Sequence, residues 1–474
     1  MSDEPDGKRA ETIDAVSREL TDIEIWINEG RYDSVFTSLY PGRDINTCKT
    51  RYSGLIKIYR ESYLNDIDKN TINANESEAG KVVIVSAPGR TEVCGNHTDH
   101  QHGNVLAAAI DLDIICVAAP NERNAIRLQS IGHAGSIYVD LCDLSPNDGE
   151  RGDAAALVRG LAAWFSSHGV KVGGFDAYTT SDVLVGSGLS SSAAFEVAVG
   201  TAMNIMFNAG FSKTEIAMAG QYAENQFFGK PCGLMDQTAS SVGGFVRIDF
   251  ADPKNPIVEP IQYDPAEDGL CLCVVNTKGS HADLIGEYAA IPEEMRAVAV
   301  YFGKDFLRDV DEDEFYNHLA EMREMNMETL RLRADSSSAI SAINDRALLR
   351  AIHFFRENRL VVDMADALRA ADTARFLNGI NQSGLSSFNY LQNIYASSSP
   401  GEQGLSIALA FSEKILGGRG GAWRVHGGGF AGTIMAFVPI GLRDEYIKAQ
   451  EAVFGSGSCI TLAIRNAGGV EVKP

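Results

Sequence analysis

The chain has 474 residues, 45% of them hydrophobic and 22% charged, and its formal net charge is −22. This composition is typical of a globular protein, and the length predicts about three domains, or two large ones, with sizeable cores. The acidic balance argues against a nucleic acid or an anionic membrane as partner, because both need a basic protein surface.

The sequence also predicts where the protein works. Its first residues, MSDEPDGKRAETID, are polar, and no apolar run of about 18 residues that would predict a membrane span occurs in the chain. The eight cysteines are scattered, and the closest pair, Cys271 and Cys273, matches neither a disulfide framework nor a CxxC zinc pattern. We therefore expect a cytoplasmic protein with mostly structural thiols, and the sequence is compatible with a monomer.

Residues 1–78 are predicted to form a helical extension, to which the sequence gives no role. In ETIDAVSRELTDIEIWINEG the apolar residues recur at helical spacing, and Gly30 can end the helix. The turn-rich stretch TINANESEAG, residues 71–80, is typical of a linker. The apolar residues of the predicted helix are Ile13, Val16, Leu20, Ile23 and Ile27.

Strands and helices alternate after this extension. KVVIVSAPGR is typical of a short buried strand that runs into a turn at Pro88 and Gly89, and residues 104–120 predict a second strand or a strand pair. GFDAYTTSDVLVGSG predicts a strand and a glycine turn, and VHGGGFAGTIMAFVP predicts a glycine turn that leads into a strand. Helices are predicted at residues 154–169, 189–207 and 312–334.

One further helix has visible ends in the sequence. Ser212 and Glu215 form a capping box at its start, and Gly229 and Pro231 end it. The mixture of strands and helices predicts an α+β fold with two lobes, which we place at residues 79–240 and 241–474.

VGSGLSSSAAFEVA, residues 185–198, predicts an anion-binding turn. Gly186 and Gly188 let the backbone approach a ligand closely, and the serines open a helix whose N-terminal N–H groups and dipole favour an anion. A serine-capped helix is the alternative, but three serines between a GxG turn and a helix of small residues favour phosphate binding. The chain has no GxxxxGK[ST], so this is not the common P-loop.

AENQFFGKPCGLMDQTASSVGG, residues 223–244, carries two carboxylates of interest. Glu224 lies on a small apolar helix face, where a carboxylate is either a solvated edge residue or a metal ligand. Asp236 follows a glycine turn, and helix capping is its ordinary explanation. Beside a phosphate site both gain a chemical role, because phosphoryl transfer needs Mg²⁺ and a group that orients or deprotonates the attacking hydroxyl.

GNHTDHQHG, residues 95–103, concentrates three of the nine histidines of the chain beside an aspartate. Such a cluster suits zinc, so a metal-dependent hydrolase is one alternative, although the glycine-serine turn would then have no function. Arg90 precedes this loop and is either a surface residue or a fixed cation for phosphate charge. The residues of the cluster are His97, Asp99, His100 and His102.

Together these segments resemble the GHMP small-molecule kinases and, within that family, the galactokinases. The resemblance runs from residue 80 towards the C-terminus in the family's order, and five ordered matches are more specific than any single motif. APGRTEVCGNHTDHQHG is similar to the sugar signature, and GSGLSSSAAFEVA to the phosphate loop. The other matches are AENQFFGKPCGLMDQ for the metal-binding and catalytic carboxylates, NTKGSHADLIGEY (residues 276–288), and the third glycine motif GGGFAGT.

The resemblance implies a kinase that uses ATP and Mg²⁺ to phosphorylate the anomeric hydroxyl of galactose. It implies a ribosomal-protein-S5-like first lobe, a ferredoxin-like second lobe and a site between them. Asp236 would accept the proton of the sugar's C1 hydroxyl, and Arg90 would steady the developing negative charge. Ser192 and Glu224 would coordinate Mg²⁺. The nucleotide phosphates would contact Gly186, Gly188, Leu189, Ser190, Ser191 and Ser192, and the sugar would contact Asn96, His97, Asp99, Gly233 and Tyr288.

The chain departs from the galactokinase pattern at Asn96, where the family has a glutamate that meets the sugar's 6-hydroxyl. Asn96 can still hydrogen-bond a hydroxyl, and it would tolerate a 6-carboxylate because the like-charge repulsion is gone. Galacturonate, N-acetylgalactosamine and arabinose are therefore alternative substrates. A catalytically silent sugar sensor on the same fold is a further alternative, although the catalytic set is present. Other departures are His100, Leu184, Asn225, and Ser383 followed by Gly384.

Overall fold

A computed structural model describes residues 5–64, 81–133, 135–184, 188–230, 232–279, 284–332 and 343–474. Three helices come first: α1 (Pro5–Asn28), α2 (Asp33–Leu39) and α3 (Ile45–Tyr63). The predicted N-terminal helix is confirmed, and Gly30 follows it with a φ of 83°. The predicted linker at 71–80 lies outside the described residues. The helices pack their apolar face onto Ile84, Ile115 and Val117, which belong to the strands behind them.

The described strands form two sheets. In chain order they are β1 (Val83–Cys94), β2 (Asn104–Pro120), β3 (Ala125–Ser130), β4 (Ile137–Asp140), β5 (Phe175–Ser181), β6 (Phe245–Asp249), β7 (Ile257–Ile261), β8 (Leu270–Asn276), β9 (Ala422–His426), β10 (Thr433–Pro439), β11 (Cys459–Leu462) and β12 (Val470–Glu471). The first sheet has the order β12-β1-β2-β5-β3-β4, with β6 and β7 continuing from β2, and the second has the order β11-β8-β10-β9. The β3–β5 pair is parallel and the other pairs are antiparallel.

Two details of the first sheet correct the sequence analysis. The predicted turn at Pro88 and Gly89 is wrong: β1 continues through both residues, with a shift of register against β2 between Pro88 and Arg90. A bulge of this kind bends the strand without ending it, and it tolerates a proline that lacks a ladder hydrogen bond. Residues 104–120 form one long strand, not a strand pair.

Four helices accompany the first sheet: α4 (Ala154–Ser167), α5 (Ser191–Met206), α6 (Lys213–Tyr222) and α7 (Met235–Val242). The predicted capping box of α6 is present, because Ser212 and Glu215 each bond the other's backbone N–H. A π-helical turn, Ala223–Phe228, continues α6 and ends at Gly229 with a φ of 86°. The other predicted stop, Pro231, lies outside the described residues.

The helices after β8 are α8 (Ile285–Tyr301), α9 (Glu312–Leu332), α10 (Asp345–Arg369), α11 (Thr373–Ser386), α12 (Gly404–Leu416) and α13 (Arg443–Phe454). Of these, α11, α12 and α13 pack on the second sheet, and α10 packs on β2 of the first. The predicted helix at 312–334 and the predicted glycine turn before β10 are both confirmed. The two-sheet α+β architecture is the predicted one. None of the described helices combines the length and apolar character needed to cross a bilayer.

The chain passes from the first sheet to the second between β7 and β8, which is later in the sequence than the predicted lobe boundary at residue 240. Strands β6 and β7 pair into the first sheet, and β12 returns to it from the far end of the chain. The reason is that β6 is joined to α7 by only two glycines, Gly243 and Gly244, so the helix and strand stay together.

Candidate functional site

The centre of the site is an ion pair between Arg90 on β1 and Asp236 in the first turn of α7. Arg90 donates from Nε to Asp236 Oδ1 at 2.7 Å and from Nη2 to Oδ2 at 2.6 Å. The same guanidinium also bonds the carbonyl oxygen of Gly188. Two parallel bonds to one carboxylate fix its orientation as well as its charge. The two residues named for catalysis therefore lie together.

Asp236 is ionised in this environment. Burial raises its pKa, but the Arg90 guanidinium and a hydrogen bond from Ser190 Oγ at 2.6 Å outweigh burial and hold the pKa below its usual range. Ser190 is the residue before α5 and has a φ of 57°. Its hydroxyl makes no bond to the helix backbone and donates to Asp236 instead. A carboxylate with a low pKa orients a hydroxyl well and takes its proton only as that hydroxyl becomes acidic.

The described ends of the predicted phosphate loop are fixed beside Arg90. The carbonyl oxygen of Leu189 accepts a bond from the Arg90 backbone N–H at 3.0 Å. Gly188 has a φ of 73°, and a Cβ there would lie 3.1 Å from His426 Nδ1, so a side chain would crowd the turn. Gly186 lies outside the described residues. Ser191 and Ser192 form the first turn of α5, where the helix N–H groups favour an anion.

Glu224 lies in the π-helical turn and is 3% exposed. Lys230 Nζ donates to its Oε1 at 3.1 Å, and Gln237 Nε2 donates to its Oε2 at 2.9 Å and to buried Glu196 at 3.0 Å. Glu196 Oε1 and Gln237 Oε1 have no hydrogen-bond partner. A buried group of oxygen atoms with unsatisfied members suits a hard cation such as Mg²⁺. The residues present therefore fit the metal that the resemblance implies.

The loop after β1 meets the segment before α7. A Cβ on Gly233 would overlap Asp99 Oδ2, so only glycine lets this carboxylate sit against the chain. His97 has a φ of 59°, uncommon for a residue other than glycine, and its Nε2 lies 3.1 Å from the carbonyl oxygen of Gly428. Tyr288 donates from its hydroxyl to the carbonyl oxygen of Gly429 at 2.9 Å. The third glycine motif thus contacts two residues predicted for the sugar pocket.

Asn96 is 1% exposed, and protein partners use its amide group. Its Nδ2 donates to Glu92 Oε1 at 2.7 Å and to the carbonyl oxygen of Gly427 at 2.8 Å. Its Oδ1 accepts from Asn393 Nδ2 at 2.7 Å. Asn96 therefore joins the sugar loop to the glycine motif and to Glu92, and its predicted contact with a sugar stays a prediction.

Sequence reasoning missed the residues on α10 that hold this loop. His353 Nε2 lies 2.9 Å from the carbonyl oxygen of Asn96. Glu357 Oε2 accepts from the Gly95 backbone N–H at 3.0 Å, and Asn358 Oδ1 accepts from the Asn104 backbone N–H at 2.8 Å. One signal in the sequence could have pointed to them: a histidine and a glutamate four positions apart lie on the same face of a helix. If that face is buried, both side chains need hydrogen-bond partners from another part of the chain.

Glu92 was missed as well. It is buried on β1 and pairs with Arg424 on β9, whose Nη2 lies 3.3 Å from Glu92 Oε1. Burial raises the pKa of Glu92 to about 7, against the lowering effect of Arg424 and Arg90. A charged residue inside a buried strand is itself a signal of a fixed polar network, because such a group is rarely buried without a partner.

The histidine cluster does not form a metal centre. The His102 ring stacks on Phe306 with ring centroids 3.6 Å apart, and His97 is directed to Gly428. Within the described residues, which include the whole cluster, no group of three or more histidine, cysteine, aspartate or glutamate side chains is arranged to hold a metal. This geometry gives the hydrolase alternative no support.

Comparison with known families and proteins agrees with this geometry. The galactokinase galactose-binding signature matches residues 74–120, and the GHMP kinase N-terminal domain matches residues 154–244. The chain is 30% identical over 365 residues to a galactokinase of Actinobacillus pleuropneumoniae, an alignment that covers 77% of this chain and 86% of that relative. The chain belongs to the galactokinase family of GHMP kinases. Another member, from Glaesserella parasuis, is 29% identical over 75% of this chain and 85% of its own.

Solved structures share this fold. The galactokinase of Lactococcus lactis complexed with galactose is similar with a TM-score of 0.69 at 21% identity, over 89% of this chain and all of that one. The mevalonate kinase of Methanococcus jannaschii is similar with a TM-score of 0.56 at 13% identity, over 82% of this chain and 99% of that one. The GHMP kinase fold predicted from the sequence is thereby confirmed.

Proposed function

We propose that the protein transfers the terminal phosphoryl group of ATP to the anomeric hydroxyl of galactose, giving galactose 1-phosphate. The observation that carries this proposal is the Arg90–Asp236–Ser190 group between the start of α5 and the sugar loop. This group places a fixed cation, an ionised carboxylate and a helix N-terminus within one small region. Phosphoryl transfer depends on such positioning and charge stabilisation.

In this mechanism Asp236 orients the anomeric hydroxyl and takes its proton as the new bond to phosphorus forms. Arg90 keeps Asp236 ionised and offsets negative charge on the transferring group. The first turn of α5 faces the nucleotide phosphates with its N–H groups, and Ser190, Ser191 and Leu189 lie there. Ser192 and Glu224 would hold Mg²⁺, which when bound neutralises phosphate charge.

Galactose is favoured over galacturonate by the residue behind Asn96. The Glu92 carboxyl group lies 2.7 Å from the Asn96 amide, so this part of the loop keeps a carboxyl group although Asn96 itself is neutral. A sugar 6-carboxylate would approach that group, which with a pKa of about 7 is partly ionised at neutral pH, and like charges repel in a poorly hydrated site. A neutral 6-hydroxyl meets no such repulsion.

The free thiols of all eight cysteines support the proposal that the protein acts in the reducing cytoplasm.

The test is the phosphorylation rate with ATP and Mg²⁺ across galactose, galacturonate, N-acetylgalactosamine, arabinose and glucose, compared as kcat/KM. Galactose should give the highest value. A higher value for galacturonate would reverse the argument from Glu92, and no turnover with any sugar would overturn the kinase proposal. Omitting Mg²⁺ in the presence of a chelator should abolish turnover.

Asp236→Asn is the matched variant for the catalytic role. The amide keeps the shape but cannot accept the sugar's proton, so kcat should fall about 100-fold or more. Calorimetry should still detect galactose binding within a few-fold of the wild-type affinity. Asp363→Asn, an exposed change on α10, is the control and should leave kcat unchanged. Near wild-type turnover by Asp236→Asn would contradict the assignment.

A further inference from the structure

The N-terminal extension reaches the entry of the phosphate loop through two arginines. Arg43 follows α2, and its Nη1 lies 3.3 Å from Asp182 Oδ2. Arg51, on α3, places its own Nη1 3.2 Å from the same oxygen. Asp182 is the first residue after β5 and stands six positions before Gly188. Residues outside both matched family regions, which begin at residue 74, therefore contact the phosphate-loop entry.

The other contacts of Asp182 tie it to the sheet. Its backbone N–H donates to the carbonyl oxygen of Asp113 on β2 at 2.9 Å. The next residue, Val183, is buried, and its methyl groups crowd Gly89 on β1: a Cβ there would lie 3.1 Å from Val183 Cγ1 and 2.8 Å from the carbonyl oxygen of Leu189. The two described ends of the loop thus meet at Gly89, next to Arg90.

The arginines are themselves anchored in the first sheet. Arg43 Nε donates to Asp111 Oδ2 at 3.0 Å, and Arg51 Nη2 donates to the carbonyl oxygen of Asp113 at 3.0 Å. Asp113 is fully buried, and Tyr40 of the extension donates to its Oδ2 at 2.6 Å. A charge-assisted network with buried members has few alternative arrangements, so the arginines hold a fixed position.

We propose that Arg43 and Arg51 are positioning residues for nucleotide binding: they fix Asp182 and, through Val183, the entry of the phosphate loop. The extension then contributes to the kinase activity, because it holds Asp182 and Val183 in place before ATP binds. Binding is stronger when the bound arrangement is already populated. This inference rests on the proposed function, in which the nucleotide phosphates lie at the start of α5.

Arg43→Ala in the full chain tests the proposal. Removing the ion pair with Asp182, together with the anchoring pair with Asp111, should raise the KM for ATP about fivefold and weaken ATP binding in calorimetry by a similar factor. The KM for galactose and kcat should stay within about twofold, since neither depends on the loop entry once ATP is saturating. Asp182→Asn should act in the same way from the other side of the contact. Arg43→Lys should restore part of the loss, because it keeps the charge.

The control is Arg31→Ala, which removes an arginine of the same extension whose exposed side chain pairs with Glu29 and lies over the Trp26 ring, both close in sequence. It should change none of these values. Loss of thermal stability by Arg43→Ala without a change in ATP affinity would overturn the proposal and leave the contact a structural one. Wild-type protein that fails to bind ATP at all would instead overturn the proposed function.

Discussion

At the scale of single residues, Asn96 has a different task from the one its position in the sequence predicts. The sequence places it where it can meet a sugar hydroxyl, yet its amide bonds Glu92, Gly427 and Asn393. An amide suits this place because it donates to one carboxyl oxygen and one carbonyl oxygen and accepts from another amide. A carboxylate at the same place would meet two acceptors.

Asn96→Asp should therefore destabilise the protein strongly. The carboxylate oxygen in place of Nδ2 would face Glu92 and the Gly427 carbonyl oxygen with no donor between them, since Asn393 donates only to the other oxygen, and a buried charge compensated so poorly costs about 3 kcal/mol or more. Urea unfolding at pH 8 measures this cost, where Glu92, with a pKa of about 7, is mostly ionised. The double variant Asn96→Asp with Glu92→Gln should recover much of the loss, since the glutamine supplies the missing donor. Equal instability of the two would contradict this account.

At the scale of elements, α10 supports the sugar loop along its length. His353, Glu357 and Asn358 bond the loop backbone at residues 96, 95 and 104 respectively. Glu357 also accepts from Ser383 Oγ at 2.8 Å, so α11 is joined to the same contact. A loop that carries Asp99 and His97 is thus fixed by a helix more than 240 positions away in the sequence.

Glu357→Gln should weaken sugar binding without weakening ATP binding. Burial raises the pKa of Glu357, but the charge of Arg424 and the hydrogen bonds from Ser383 and the Gly95 backbone N–H help hold that pKa below its usual range, so the carboxyl group is ionised and its bonds are charge-assisted. Replacing it with an amide should raise the KM for galactose about tenfold. The KM for ATP should change less than twofold. Asp363→Asn on the exposed side of α10 is the control, and an equal rise in both KM values would contradict a role confined to the loop.

The sequence predicted what depends on neighbouring residues, and the structure added what depends on distant ones. The capping box of α6 and the apolar stripe of α1 follow from spacing within a few residues, so both were predictable. Arg90 and Asp236 were named together only through the family resemblance, because 146 positions separate them, and the bond between them came from the structure. The Glu92–Arg424 pair spans 332 positions and has no local pattern, and no single-sequence argument pairs such residues.

At the scale of the whole molecule, buried neutral histidines link folding stability to pH. His426 is 2% exposed and its Nδ1 lies 2.9 Å from Thr433 Oγ1; burial first, and then the charges of Arg90 and Arg424, lower its pKa to about 3. Burial and the neighbouring His100 lower the pKa of His97 to about 4. Burial also lowers the pKa of His353. In the folded protein these histidines therefore stay neutral at pH values at which the same residues are protonated in the unfolded chain.

The free energy of unfolding should therefore fall as pH drops. An unfolded histidine gains its proton near pH 6.5, whereas the folded state leaves His426 neutral until about pH 3, so the loss runs through this window and stops below it. Within this window each such histidine lowers the free energy of unfolding by about 1.4 kcal/mol for each unit by which the pH falls. Chemical unfolding of the wild type and of His426→Gln between pH 7 and pH 4 measures it. The variant should show the shallower slope, and equal slopes would contradict a neutral buried His426.

The return of β12 to the first sheet has a consequence for biosynthesis. Val470 pairs with Ser86 on β1, and Arg465 donates to the buried Asp113 from Nη1 at 3.2 Å. These partners leave the ribosome several hundred residues before the strand and the arginine that complete them. The first lobe therefore keeps an open sheet edge, and Asp113 keeps only Arg51 of its two arginine partners, while the second lobe is translated, so residues made late complete the first part of the fold.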